Sequence, residues 1–283
     1  MPARFGPAGS SEEYNAGKHK SVLEMPEYLK NYGLDHFEYQ CGRGVNVGEE
    51  KARAFGAEAA RCGITVSLHS PYYISLASVE EEKRLHSIDY ILDSARAVDW
   101  MGGNRVVVHS GTCGKISRAE AMQKAGDTLL RALDALDGQG LGHIRLCPET
   151  MGKINQLGDL EEVMTLCALD ERLIPCIDFG HLNARTLGGL CTREDFAAVL
   201  DTMENRLGGE RARCFHAHFS KIEYTAGGEK RHLTFADETF GPDFSLLAPL
   251  LRERELSPVI ICESAGTQDA DALRMKTLYR EAM

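Results

Sequence analysis

No two of the nine cysteines form a C-x-x-C pair; Cys41, Cys62, Cys113, Cys147, Cys167, Cys176, Cys191, Cys214 and Cys262 all stand singly. Several lie in apolar runs, where a free thiol behaves as a small hydrophobe, so a disulfide framework is excluded and a reduced, cytoplasmic protein is expected. No apolar run approaches the roughly eighteen residues of a membrane span, and residues 1–20 hold no apolar signal core. A soluble, intracellular monomer with no membrane partner is the expectation. Positive charge is also short: 32 Lys and Arg against 42 Asp and Glu give a formal net charge of −10. That balance argues mildly against a nucleic-acid partner, which would be held through its phosphates. Bound divalent metals, however, would add positive charge that the formula omits. Finally, no linker or shift in composition divides the chain, so residues 1–283 read as one domain.

What is present is an alternation of strand-like and helical segments. Strands are expected at Ala3–Phe5, Asp35–Tyr39, a run ending at Leu68, another ending at Val108, His143–Cys147, Leu173–Ile177, Arg213–Ala217 and Val259–Cys262. Helices are expected at Ser21–Tyr32, Glu49–Arg61, Val79–Met101, Ser117–Leu136, Asp159–Leu169, Thr192–Met203, Phe244–Arg254 and Asp269–Met283. The third is marked by Leu85, Ile88, Ile91, Leu92 and Ala95 at helical spacing. A turn cluster, Gly6 to Ser11, follows the first strand, and a long loop, Phe219 to Gly241, follows the seventh. Eight β-then-α units imply a parallel sheet and close naturally into a single (β/α)8 TIM barrel of the α/β class. A doubly wound open sheet is the alternative.

Several of these strands run straight into a metal-type ligand. Val66-Ser67-Leu68 ends in His69, Val106-Val107-Val108 in His109, the fifth strand in Glu149, the sixth in Asp178 and the eighth in Glu263. In a barrel, residues at strand C-termini face one rim. The candidates along the chain are His69, His109, Glu149, Asp178, His181, His216, His218, Glu229, His232 and Glu263. Histidine with carboxylate suits Zn²⁺ or Mn²⁺, and carboxylates can bridge two ions. This many ligands exceeds one coordination shell, so two or three metals are expected. Each candidate has a plainer reading as a cap or a supporting group; for Asp178 it is a helix N-cap. His19, His36, His86 and His143 fall in that plainer class. His216 and His218 share a strand face; His218, nearer the rim, is the expected ligand and His216 its support.

These motifs resemble the endonuclease IV family of apurinic/apyrimidinic endonucleases, within the xylose-isomerase-like barrels. Leu68-His69-Ser70-Pro71-Tyr72 is similar to the family's His-Ala-Pro-Tyr segment, and Val108-His109-Ser110-Gly111 to its Phe-His-Pro-Gly segment. Cys176-Ile177-Asp178-Phe179-Gly180-His181 resembles Cys-Ile-Asp-Thr-Cys-His, with Phe-Gly in place of Thr-Cys. Glu149-Thr150 and Cys262-Glu263-Ser264 match the two family glutamates, and Pro7-Ala8-Gly9-Ser10 resembles the loop after the family's first strand. The resemblance implies that His69 and His109 bind a first zinc and that Glu149 bridges it to a second, completed by Asp178, His218 and Glu263. His181 and His232 would hold a third with one carboxylate. There the chain departs from the family's Asp-x-His. It reads Glu229-Lys230-Arg231-His232, and Glu229 replaces the aspartate only if the loop shifts by a residue. His218-Phe219-Ser220-Lys221 likewise departs from His-Leu-Asn-Asp. Tyr72 and Arg43 match positions that enter DNA at the abasic site; their plainer readings are a rim aromatic and a solvated loop cation.

Two enzyme classes follow from these residues. One is metal-assisted hydrolysis of double-stranded DNA 5′ to abasic sites, with Glu149 and Glu263 as the catalytic carboxylates. The other is a sugar isomerase or epimerase with Glu149, Asp178, His218 and Glu263 around one Mn²⁺, acting on a small sugar. Glu38, if it reaches the rim from the second strand, favours the second. A single metal leaves His69, His109, His181 and His232 without a metal role, which favours the first. A barrel that binds a ligand or metal without turnover is a third possibility, which the full set of inner ligands disfavours.

Overall fold

The computed structural model describes residues 2–19 and 21–282. Short apolar runs that cannot cover both faces with polar groups pair side by side as eight parallel strands: β1 (Arg4–Pro7), β2 (His36–Gln40), β3 (Thr65–His69), β4 (Arg105–Val108), β5 (Arg145–Pro148), β6 (Cys176–Asp178), β7 (His216–Phe219) and, after a hairpin, β10 (Val259–Cys262). The hairpin strands are β8 (Ile222–Thr225) and β9 (Gly228–His232). Laddered pairing runs β2-β3-β4-β5 on one side and β6-β7-β10-β1 on the other. Two seams join the halves. At the first, Ala8 bridges Glu38, and Asp35 N donates to Phe5 O at 2.9 Å. At the second, Leu146 bridges Leu173, Glu149 bridges Cys176, and Ile174 N donates to Leu146 O at 3.0 Å. Both seams close, so the sheet is a (β/α)8 barrel and the open-sheet alternative falls.

The covering helices are α1 (Glu12–Ala16), α2 (Met25–Tyr32), α3 (Glu49–Cys62), α4 (Glu81–Trp100), α5 (Arg118–Gly138), α6 (Leu160–Cys167), α7 (Phe179–Arg185), α8 (Arg193–Leu207), α9 (Gly209–Arg213), α10 (Phe244–Glu253) and α11 (Gln268–Glu281). They bury one stripe each against the barrel; in α4 this is Ile88, Ile91, Leu92 and Ala95, whereas Leu85 of the expected stripe is exposed. The main core lies between helices and sheet. Inside the barrel are two small apolar groups, Val107 with Cys147, Ile174 and Cys176, and Ala8 with Val259 and Ile261.

Four expected boundaries need correction. Pro175 has no amide hydrogen to give the ladder, so the regular strand expected from Leu173 begins at Cys176. Arg213, expected to open the seventh strand, ends the short helix α9, and that strand starts at His216. The helix expected from Ser21 begins as a 3-10 turn, Val22–Glu24, with the α-helix starting at Met25 ahead of Pro26. The long loop after β7 is largely the β8–β9 hairpin, whose alternation is masked by the charged run Glu229-Lys230-Arg231.

One glycine decides the first seam. A Cβ on Gly6 would lie 1.9 Å from the carbonyl oxygen of His36, a backbone atom that has nowhere to retreat. Gly6→Ala is therefore expected to cost about 3 kcal/mol or more of folding stability, measured by urea denaturation. A loss within experimental error of zero would mean that the β1–β2 seam is not as tight as described.

Candidate metal centre

Alternation along each strand sends every second side chain into the barrel, and the last inward position of each strand is the rim. Glu149, directly after β5, sits at the centre and is fully buried. Its two oxygens face different ways. Oε2 lies 3.3 Å from His69 Nε2 and 3.0 Å from His109 Nε2. Oε1 lies 3.0 Å from His218 Nδ1 and 3.4 Å from His181 Nδ1. Burial would raise the Glu149 carboxyl, but His218, His109 and His181 outweigh it and hold it well below the ordinary carboxylate range.

Among the described residues, five overlapping groups of ligand atoms lie within 4.8 Å of one another. Two are Cys176, His216 and His218, and His69, His218 and Glu263. The other three match the expected sets: His69, His109 and Glu149; Glu149, Asp178, His218 and Glu263; and His181, Glu229 and His232. In the second, His218 Nδ1 lies 3.5 Å from Glu263 Oε1 and 4.0 Å from Asp178 Oδ2. In the third, Glu229 lies 3.5 Å from His181 Nε2 and 3.9 Å from His232 Nε2. Atoms that share one ion at roughly 2.1 Å each stand at most roughly 4.2 Å apart, so these separations fit shared cations. A further sign is Asp178 Oδ2, which is buried with no hydrogen-bond partner. Such an oxygen is costly unless a cation faces it. Burial outweighs the neighbouring histidines and pushes the Asp178 carboxyl up to about 6.

Backbone geometry aims these side chains. Asp178 is indeed the N-cap of α7: Oδ1 accepts from His181 N at 2.7 Å, which leaves Oδ2 for the centre. Thr150 Oγ1 accepts from Asp178 N at 2.8 Å, and Thr150 O accepts from His181 Nδ1 at 2.9 Å, so His181 presents Nε2. His69 Nδ1 donates to Ser70 O at 2.9 Å and likewise presents Nε2. Ser220 Oγ lies 2.9 Å from His232 Nδ1 and orients that ring.

The spacing problem at Glu229 is solved by a bulge. Residues three apart in a regular strand point to opposite faces. Here Glu223 pairs with Arg231 but Tyr224 pairs with Glu229, so Lys230 is the extra residue and β9 gains one step. Glu229 and His232 then share the face of Tyr224 and Ile222, toward the site. Lys230 and Arg231 both turn outward, each 2.6 Å from Glu223. The hairpin docks on the loop after β5, where Glu229 N donates to Gly152 O at 3.0 Å. A Cβ on Gly152 would lie 2.6 Å from Glu229 Cβ and 2.9 Å from His181 Cδ2.

Residues 26–283 match the family model described as xylose isomerase-like TIM barrel. The chain belongs to that family. An uncharacterised protein of Methanocaldococcus jannaschii is 33% identical over 258 residues, 90% of each chain. A protein of Thermoplasma acidophilum named probable endonuclease 4 is 25% identical over 225 residues, covering 75% of this chain and 76% of its own. Among solved structures, endonuclease IV from Thermus thermophilus superposes with a TM-score of 0.72 at 23% identity, covering 99% of this chain and all of that one. A D-tagatose 3-epimerase-like protein superposes at 0.70 with 19% identity, covering 90% and 91%. At those identities the two superpositions show the shared fold alone.

In this xylose isomerase-like barrel, all nine expected metal-type residues converge, while Tyr72 and Arg43 stand apart on the rim. Tyr72 is 54% exposed, its ring 4.4 Å from that of the equally open Tyr73, and its backbone N donates to Gly42 O beside Arg43. The side chains of His109 and His232 are 22% and 26% exposed and those of Glu229 and Glu263 16%, so the centre opens on that side. Glu38, which would have favoured the isomerase reading had it reached the rim, does not reach it. It lies below the centre, fully buried, with Oε2 accepting from His216 Nε2 at 2.9 Å and Oε1 3.0 Å from His218 Nε2. Thr150, Gly152 and Ser220 carry no motif of their own; only the neighbours they touch reveal them. Phe179 and Gly180, the departure from Thr-Cys, follow from packing. Phe179 stacks among Phe196 and Phe219, and a Cβ on Gly180 would lie 2.6 Å from Ser220 O.

Two outcomes check this geometry. Deleting Lys230 should remove the bulge, keep Glu229 and His232 on one face and preserve cobalt binding at that group. Inserting one alanine between Arg231 and His232 should abolish it, as read by Co²⁺ titration; the reverse result would refute the bulge. The second outcome concerns protons. In the apo protein burial would lower His69, but Glu149 outweighs it and pushes the imidazole up to about 9; His181 and His218 also stand well above the ordinary histidine value. Those protons must leave when metal binds, so uptake at neutral pH should release protons, and affinity should go on tightening as the pH rises to about 9. Calorimetry in two buffers of different ionisation enthalpy reads this directly, and buffer-independent heats would contradict it.

Proposed function

We propose that this chain is a metal-dependent phosphodiesterase that hydrolyses double-stranded DNA 5′ to abasic sites. The observation that carries the proposal is the third ligand group, His181, Glu229 and His232, preserved in a hairpin whose sequence spacing would otherwise break it. A sugar isomerase needs one ion and has no use for that group. The curated relatives named probable endonuclease 4 support the same reading. Zinc suits the histidine and carboxylate donors, and Mn²⁺ is the alternative ion.

In this reading His69 and His109 would hold one ion, Asp178, His218 and Glu263 a second, and His181, Glu229 and His232 a third, with Glu149 facing the first two sets. Ions bound there would supply a water of lowered pKa and positive charge against the phosphoryl oxygens. Glu149 presents one oxygen to His69 and His109 and the other to His218 and His181. Glu263, the more open carboxylate, stands beside the attacking water and orients it toward phosphorus. The bond from phosphorus to the 3′ oxygen breaks, and that oxygen leaves as a hydroxyl. Tyr72 and Tyr73 present aromatic faces to a base or to the gap left by one. Exposed Arg43, Lys115, Lys153 and Lys230 stand on loops after β2, β4, β5 and on the hairpin, so the rim is less acidic than the chain's net charge suggests.

The epimerase alternative rests on the comparable superposition with the D-tagatose 3-epimerase-like protein. It loses the support of Glu38, which has no path to a sugar from beneath the centre. Metal analysis with a cleavage assay separates the two. Three tightly bound ions and cutting of an abasic duplex are expected. His69→Ala should lower the cleavage rate by more than the roughly 10–100-fold that supporting partners of a ligand cost. One ion per chain with no cleavage, or full cleavage by His69→Ala, would sink the proposal.

A further inference from the structure

The interior of a (β/α)8 barrel is ordinarily filled by layers of branched apolar side chains. In this barrel the layer under the metal centre is interrupted. Between the two small apolar groups stands a polar column of His36, Ser67, Glu38 and His216, all buried. Its contacts converge on Glu38. Ser67 Oγ donates to Glu38 Oε2 at 2.8 Å, and His216 Nε2 donates to the same oxygen at 2.9 Å. Ser67 is itself 2.9 Å from His36 Nε2, and His36 Nδ1 is 2.7 Å from Thr65 Oγ1. With a neutral His36 whose proton is on Nε2, His36 donates to Ser67 and Ser67 to Glu38; Thr65 Oγ1 also lies 3.2 Å from Asp35 O. The other carboxylate oxygen, Oε1, accepts from Gln40 Nε2 at 3.2 Å and lies 3.0 Å from His218 Nε2, off the line of a hydrogen bond.

We propose that Glu38 is a positioning residue that sets the tautomer of His218. A carboxylate oxygen facing Nε2 favours the proton there when the imidazole is neutral, which leaves the Nδ1 lone pair for an ion among Glu149, Asp178 and Glu263. His216 and Ser67 hold one carboxylate oxygen and Gln40 the other, so the group cannot turn away. Glu38 is itself fully buried and reaches the centre through His218. The fold alone does not ask for it. An apolar residue of similar volume would join Val107, Cys147 or Ile261 in the interior without the cost of desolvating a charge. The proposal rests on His218 being a metal ligand, as argued above.

Glu38→Gln keeps the shape but has one acceptor oxygen and one amide donor. It cannot accept from both His216 and His218, so one ring must move its proton to Nδ1. Two readouts test this: zinc affinity by competition with a chelator, and the His218 tautomer from ¹⁵N spectra of histidine-labelled protein. The variant is expected to lose affinity about 10–100-fold for one ion only, that at Asp178, His218 and Glu263, and to show an Nδ1–H population once His218 is made neutral at alkaline pH without metal, where the wild type keeps the proton on Nε2. Ser67→Ala, which keeps the charge and frees one carboxylate oxygen of a donor, is expected to weaken the same ion severalfold; it decides the matter should Glu38→Gln fail to fold. Unchanged affinity with an unchanged tautomer overturns the proposal while leaving the metal centre standing. Wild-type protein that binds no zinc overturns the metal reading itself, a result distinguishable from the first.

Discussion

A carboxylate removed from water, with no lysine or arginine to meet it, is the constraint around which this barrel is arranged. Glu149 is fully buried, and the groups facing its two oxygens are imidazoles from β3, from the loop after β4, from α7 and from β7. Desolvating such a group costs several kcal/mol, so an arrangement lacking any one of the imidazoles would leave charge uncompensated in the interior. The cost is recovered only if the parallel strands hold register and the rim histidines arrive together. Closure of both barrel seams and convergence of the site are thus one requirement viewed at two scales.

The same logic explains why metals suit the site better than protons. Protonated imidazoles can offset the charge of these carboxylates, and His181 Nδ1 lies 3.2 Å from Asp178 Oδ2, yet that oxygen still has no hydrogen-bond partner. Divalent ions serve nitrogen and oxygen donors at once. The short bonds behind the donors, from His69 to Ser70, His181 to Thr150 and His232 to Ser220, fix which nitrogen faces inward. Arrangement therefore precedes loading: backbone carbonyls and hydroxyls have already chosen the tautomers.

Much of this was legible along the chain because strand alternation is a short-range rule. A run such as Val106-Val107-Val108 followed by His109 states both the strand and the direction of its last side chain. Helix positions followed from the same kind of periodicity, although Leu85 shows that a stripe read from spacing can run one turn too long. Long-range facts were not legible. Pro175 shortened β6 through a missing donor, and Gly208, with φ of 82°, let α9 form where a strand was expected. Gly152 and Ser220 earn their places only through contacts with residues tens of positions away. Glu38 was visible as an inward residue but not its depth, because depth depends on the register of β2 against its neighbours β1 and β3, which one strand cannot state.

The hairpin bulge carries a wider implication for how ligand motifs are recognised. A pattern written as Asp-x-His counts residues, yet the ion responds to direction, and direction along a strand has only two values. One inserted residue reverses it, and one bulge reverses it back. Two sequences that differ in length at a motif can therefore be equivalent to the metal, while two of equal length need not be. Parity, not spacing, is the inherited quantity in such a strand, and a search that fixes the spacing will discard intact sites.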